Sequence, residues 1–150
     1  AGFTAALAIS QRVLDDDPGN RGAARDVAIC QKGIGRVHAA REEWEAALES
    51  YLRAMPVVNA QLENDPTNLL VRQSVASLAR VMGDAYFAQA HSDTLDEDRR
   101  RASLREARTL FTRSLELYEA MRDDGSIVAA DEGLIEVLRG SLAACEAALE

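Results

Sequence analysis

Turn-forming residues are scarce in this chain. Three prolines and nine glycines punctuate 150 residues. An all-β chain needs a turn roughly every 8–12 residues, so this scarcity argues against one. Long apolar runs are missing too. None approaches the ~20 residues that a membrane span requires. Positive charge is in deficit, with 17 basic side chains against 25 acidic ones and a net charge of −8. Such a chain repels phosphate backbones and anionic lipid surfaces, which argues against nucleic acid and membrane as partners. The only cysteines, Cys30 and Cys145, form no CxxC pair and have no histidine at ligand spacing. Both fall on apolar helical faces and read as reduced, buried thiols of a cytoplasmic protein, with a disulfide or a metal site as the alternative. His38 and His91 are the only histidines and lie far apart in sequence. No HExxH, GxSxG or P-loop is present, so neither catalysis nor a cofactor is expected.

What the chain does have is helix-forming material. It is 47% hydrophobic and 28% charged, the composition of a soluble globular protein. Its long stretches of Ala, Leu, Glu and Arg favour helix. Residues 1–150 read as one domain. The chain opens Ala1-Gly2-Phe3, inside a helical pattern and without an initiator methionine, and so reads as a piece of a longer polypeptide.

A repeat organises the pattern. Asp17-Pro18-Gly19-Asn20 returns as Asp65-Pro66-Thr67-Asn68, an offset of 48 residues. The same shift carries Phe3 onto Tyr51, Leu14 onto Leu62, Val27 onto Val75, Cys30 onto Leu78, Ile34 onto Met82 and Gly35 onto Gly83. Ala23, Val27, Cys30, Ile34 and Val37 step by 4, 3, 4 and 3, which marks one face of a helix. Trp44, Ala47, Tyr51, Ala54, Val58 and Leu62 draw a second stripe after a short break at 41–43. The unit is therefore helix, tight turn, helix, then an Asp-Pro turn. Pro18 and Pro66 end each second helix, and Asn20 and Asn68 suit the N-cap of the next one. A third set, Ala107, Phe111, Leu115 and Tyr118, matches Ala47, Tyr51, Met55 and Val58 at an offset of 60. The 12 extra residues fall in a polar loop near 91–101, where Thr94…Glu97 and Ser103…Glu106 compete as capping boxes. Leu134, Leu138, Leu142, Cys145 and Leu149 make a closing helix, which Gly133 threatens to break near its start. The expected helices are 2–15, 21–40, 43–64, 69–91, 98–122 and 127–149.

These residues resemble the tetratricopeptide repeat family. Ile34-Gly35 and Met82-Gly83 stand for its Leu-Gly pair. Tyr86 stands for its first-helix Tyr, with His38 in that place one repeat earlier. Ala47, Tyr51 and Ala54 fit the second-helix pattern, and Ala107, Phe111 and Ser114 nearly do. The small residues allow the paired helices to cross closely, and the aromatic fills the space beside them. The family's usual period is about 34 residues. At 48, this chain looks like the long-period arrays of large bacterial signalling and regulatory proteins. The resemblance implies an all-α, antiparallel helix-pair α-solenoid with a C-terminal capping helix. It implies a protein–protein interaction module and not an enzyme. Pro56 departs from the pattern: an interior proline costs roughly 3 kcal/mol, so the helix either kinks there or is built as two pieces.

The resemblance further implies that the first helices line a concave side, where residues just off the packing stripe face a ligand. These are Ile29, Lys32, Arg36 and Ala39, with counterparts Ser77, Arg80, Asp84 and Phe87 at +48. Lys32, Arg36 and Arg80 would form a basic spot with Phe87 as apolar anchor, suited to an acidic or carboxyl-terminated peptide. The plainer alternative is that Arg80 and Asp84 pair with each other at i,i+4. Self-association is a second partner class, and a helical domain acting on a small molecule is the alternative function. Asp15-Asp16-Asp17 lacks the spacing of a calcium loop and reads as a solvated turn. The run from Asp96 to Arg101 mixes both charge signs and reads as a surface loop, and His38 reads as a structural residue at a helix crossing.

Overall fold

The computed structural model describes residues 2–150. It contains six helices and, among the described residues, no strand. In chain order they are α1 (Gly2–Asp16), α2 (Arg21–Ala39), α3 (Trp44–Asn64), α4 (Leu69–Ala90), α5 (Glu97–Asp123) and α6 (Ala129–Leu149). They form two compact units, one ending at Asn64 and the other spanning Asp65–Glu150.

The first unit packs α1 and α3 against α2. Ala23, Val27 and Cys30 are buried on α2, while Val37, at the end of the expected stripe, is 43% exposed. Ala47, Tyr51, Ala54 and Val58 are buried on α3. The Tyr51 ring lies on Gly35 so closely that a Cβ there would overlap it. One helix earlier, the Phe3 ring sits on Gly33, where a Cβ would meet it at 2.6 Å. Removing the Cβ is what allows each aromatic to reach the facing backbone.

The second unit repeats the device. The Phe111 ring of α5 lies on Gly83 of α4, within 2.6 Å of where a Cβ would stand. Phe111, Tyr118 and Met121 share a core with Ala76 of α4 and with Ile135, Leu138 and Cys145 of α6. Ser114, which stands where the first unit has Ala54, is fully buried. Its hydroxyl donates to the Ala76 carbonyl at 2.8 Å, so the α4–α5 contact leaves no hydroxyl stranded.

The helix ends follow local chemistry. Asn20 and Asn68 cap α2 and α4, accepting from the Ala23 N–H at 2.9 Å and the Val71 N–H at 3.3 Å. Neither expected capping box starts α5. Asp96 does, accepting from the Arg99 N–H at 2.9 Å, because Ser103 is carried inside the helix and donates to the Gln89 side chain. His38 is half-buried and pairs with Glu43 across the tight α2–α3 turn, so it clamps the turn and does not fill a helix crossing. In that turn Glu42 holds φ +60°, and Gly125 takes φ +74° where α5 ends.

Neither Gly133 nor Pro56 divides its helix, which rules out the two-piece form expected as one outcome at Pro56. α6 runs unbroken through Gly133. α3 runs as a single helix through Pro56. Pro56 and Leu52 are both exposed, so the Leu52 carbonyl that loses its helical donor lies on the solvent side, where water serves it.

Candidate partner-binding site

The five residues singled out for partner binding fall on two helices of matching register. Lys32 and Arg36 are on α2 in the first unit; Arg80, Asp84 and Phe87 are on α4 in the second. On each helix the site row lies beside the packing row. Gly35 seats its aromatic while the adjacent Arg36 is exposed, and Gly83 seats its aromatic while the adjacent Asp84 is exposed.

On the α2 face Lys32 is half-buried, Arg36 is exposed and Ile29 is 49% exposed. A cation and an aliphatic group thus share one solvent-facing surface.

The α4 face is more constrained. Arg80 donates from Nη1 to Asp84 Oδ2 at 3.2 Å, so the two do pair along the helix. The Nε of Arg80 is buried and meets no acceptor. Although Asp84 keeps solvent contact, the packed groups beside it desolvate its carboxyl and raise it above its ordinary value, and the neighbouring Arg80 only partly offsets this. Arg80 also acts on the buried Tyr118 hydroxyl, which burial and Asp131 push up to about 12 while Arg80 acts in the other direction. Phe87 is half-buried. One side packs on the second unit's core, and its ring centre lies 4.3 Å from that of His91. His91 Nδ1 in turn meets the Phe87 carbonyl at 2.8 Å, the expected role for a histidine at a helix end.

Sequence reasoning misses the residues that hold the α4 face in place. Arg72 donates to Asp124 at 2.6 Å and Gln73 donates to Asp131 at 3.0 Å, tying α4 to the turn and first residues of α6. Asp124 is held down to about 2, chiefly by the Ser126 hydroxyl and then by Arg72. These partners are more than 50 residues apart, beyond any periodicity. The one hint in the sequence is that Asp124 follows a helix end, a place where an acid commonly serves a turn.

Both cysteines are buried, and their thiols are shifted upward by that burial first of all. Among the described residues no three His, Cys, Asp or Glu side chains come together as metal ligands would. No described helix is long and apolar enough to cross a membrane. No known protein family, curated protein or solved structure matches this chain.

Proposed function

We propose that this chain is a tetratricopeptide-like α-solenoid module for protein–protein interaction, binding an acidic or carboxyl-terminated peptide on the first-helix face, which α2 carries in the first unit and α4 in the second. The observation that carries this reading is the shared register of the two helices. At Gly35 and at Gly83, one face seats an aromatic ring while the neighbouring position opens to solvent with a charged side chain. A repeat that conserves its packing geometry while varying the charge beside it, Arg36 in one copy and Asp84 in the other, separates scaffold from recognition. The setting that suits such a module is a larger bacterial signalling protein in the cytoplasm.

The test is fluorescence anisotropy with a labelled acidic peptide ending in a free carboxylate, compared with its amidated form. The double substitution Lys32→Glu, Arg36→Glu should weaken binding about tenfold, the equivalent of ~1.4 kcal/mol. Binding should also weaken with salt, because exposed charges are screened over about 8–10 Å. Unchanged affinity in a variant that keeps its circular dichroism spectrum would remove the α2 face from the site.

A further inference from the structure

The first two-thirds of α5 is a basic island in an acidic chain. From Arg99 to Arg113 there are six arginines and one glutamate, a net charge of +5 against −13 for the rest of the chain. The structure sorts these arginines. Arg99 and Arg100 are paired with Asp96 and Glu97 at the helix start, at 3.7 and 2.9 Å. Arg101 turns toward the end of α6, donating to the Leu149 carbonyl at 3.1 Å with Glu97 4.0 Å away. Arg105 and Arg108 are exposed, and among the described residues neither side chain is held by an ion pair or a hydrogen bond.

Positions 101, 105 and 108 step by 4 and 3, so they form one row along α5 about 10 Å long at ~1.5 Å of rise per residue. The acid of the segment, Glu106, makes no ion pair with the row and is near enough to Tyr86 on α4 to raise its hydroxyl. The Thr109 and Thr112 hydroxyls donate back to the carbonyls of Arg105 and Arg108 and add no carboxylate. From α6 the row is bordered by Glu146, which flanks the buried Cys145 together with Arg108.

Like charges three and four residues apart destabilise a helix by about 0.2–0.5 kcal/mol per pair. Ion pairs at that spacing, as in Glu49–Arg53 and Arg80–Asp84, offset this elsewhere in the chain. Arg105 and Arg108 have no such partner among the described residues and sit on an exposed face, where packing does not dictate the residue.

We infer that the row of Arg101, Arg105 and Arg108 is a docking surface for an acidic segment of a partner protein that presents about three carboxylates over ~10 Å. Arginine suits this task because its planar fork takes a carboxylate through two parallel hydrogen bonds. A peptide fits better than a nucleic acid. The row is short, and the chain's net charge of −8 opposes a longer polyanion. This surface lies on a different helix from the α2 and α4 faces and stands or falls independently of them.

The experiment uses the intact chain and a labelled alanine-based helical peptide with glutamates at i, i+4 and i+7, beside its glutamine counterpart and a short DNA duplex. The glutamate peptide should bind, the glutamine peptide should bind at least about tenfold more weakly, and salt should weaken the complex. Arg105→Glu, Arg108→Glu should lose at least about tenfold, while Arg12→Glu, an exposed charge reversal on α1 outside both faces, should bind as the parent does. If the charge reversal disturbs the circular dichroism spectrum, Arg105→Gln, Arg108→Gln takes its place with the same expected direction. Unchanged affinity in the folded variant overturns the proposal. So does tighter binding of the duplex. Sedimentation that shows self-association abolished by the same substitutions also overturns it, in favour of a second copy of this chain.

Discussion

Gly83 and Phe111 offer the sharpest test of the packing. A Cβ added at Gly83 would stand 2.6, 2.7 and 3.1 Å from three ring atoms of Phe111. Ordinary contact needs about 3.5–4.0 Å between carbons. The ring is only 1% exposed and has little room to retreat. Overpacking of this kind costs about 1–3 kcal/mol, and contact with three atoms at once places Gly83→Ala in the upper half of that range. Replacing a mid-helix glycine by alanine returns about 1 kcal/mol of helix propensity. The expected net effect is a loss of about 1–2 kcal/mol. Phe111→Ala alone should cost about 3–5 kcal/mol. In that background the obstruction is gone, and Gly83→Ala should now stabilise by about 0.5–1 kcal/mol. Guanidinium unfolding followed by far-ultraviolet circular dichroism measures all four proteins of the cycle. Gly133 supplies the control, since a Cβ there meets nothing within 4 Å and Gly133→Ala should stabilise in the parent chain. An identical effect of Gly83→Ala in both backgrounds would refute the ring-on-glycine account.

Two further outcomes follow from the same physics. Pro56→Ala should stabilise the chain by about 2 kcal/mol in the same unfolding assay, because it restores a donor to an exposed stretch of α3; a loss of stability would show that Pro56 makes a contact of its own. Asp124 titrates near 2, below the ordinary carboxylate value of 3.8, so its contribution to stability is present above about pH 4 and lost as pH falls through about 2. In a carboxyl-detected NMR titration Arg72→Ala should move Asp124 upward, and an unmoved titration would show that Ser126 alone sets it.

Much of the fold is legible from the sequence because helix formation is local. Periodicity places all six helices to within a residue or two, and the Asn-based caps at Asn20 and Asn68 follow from side-chain chemistry that acts three residues away. The residue that caps α5 is misjudged because several capping signals compete and the winner depends on where Ser103 is buried. The continuity of α3 depends on which side of the helix Pro56 falls, and that is settled by packing alone. For the candidate site, periodicity assigns the face but not its state. It anticipates the Arg80–Asp84 pair, which is local. It misses the commitment of Phe87 to the core, the orphaned Arg80 Nε, and the ties from Arg72 and Gln73 to α6, all of which arise from contacts distant in sequence.

The most direct test of the functional account is a map of amide chemical-shift changes across the intact chain as the acidic, free-carboxylate peptide is added. The account predicts that the largest changes cluster at Lys32 and Arg36 on α2 and at Arg80, Asp84 and Phe87 on α4, and that they shrink with the amidated peptide. Saturating peptide that leaves these amides unmoved would contradict it.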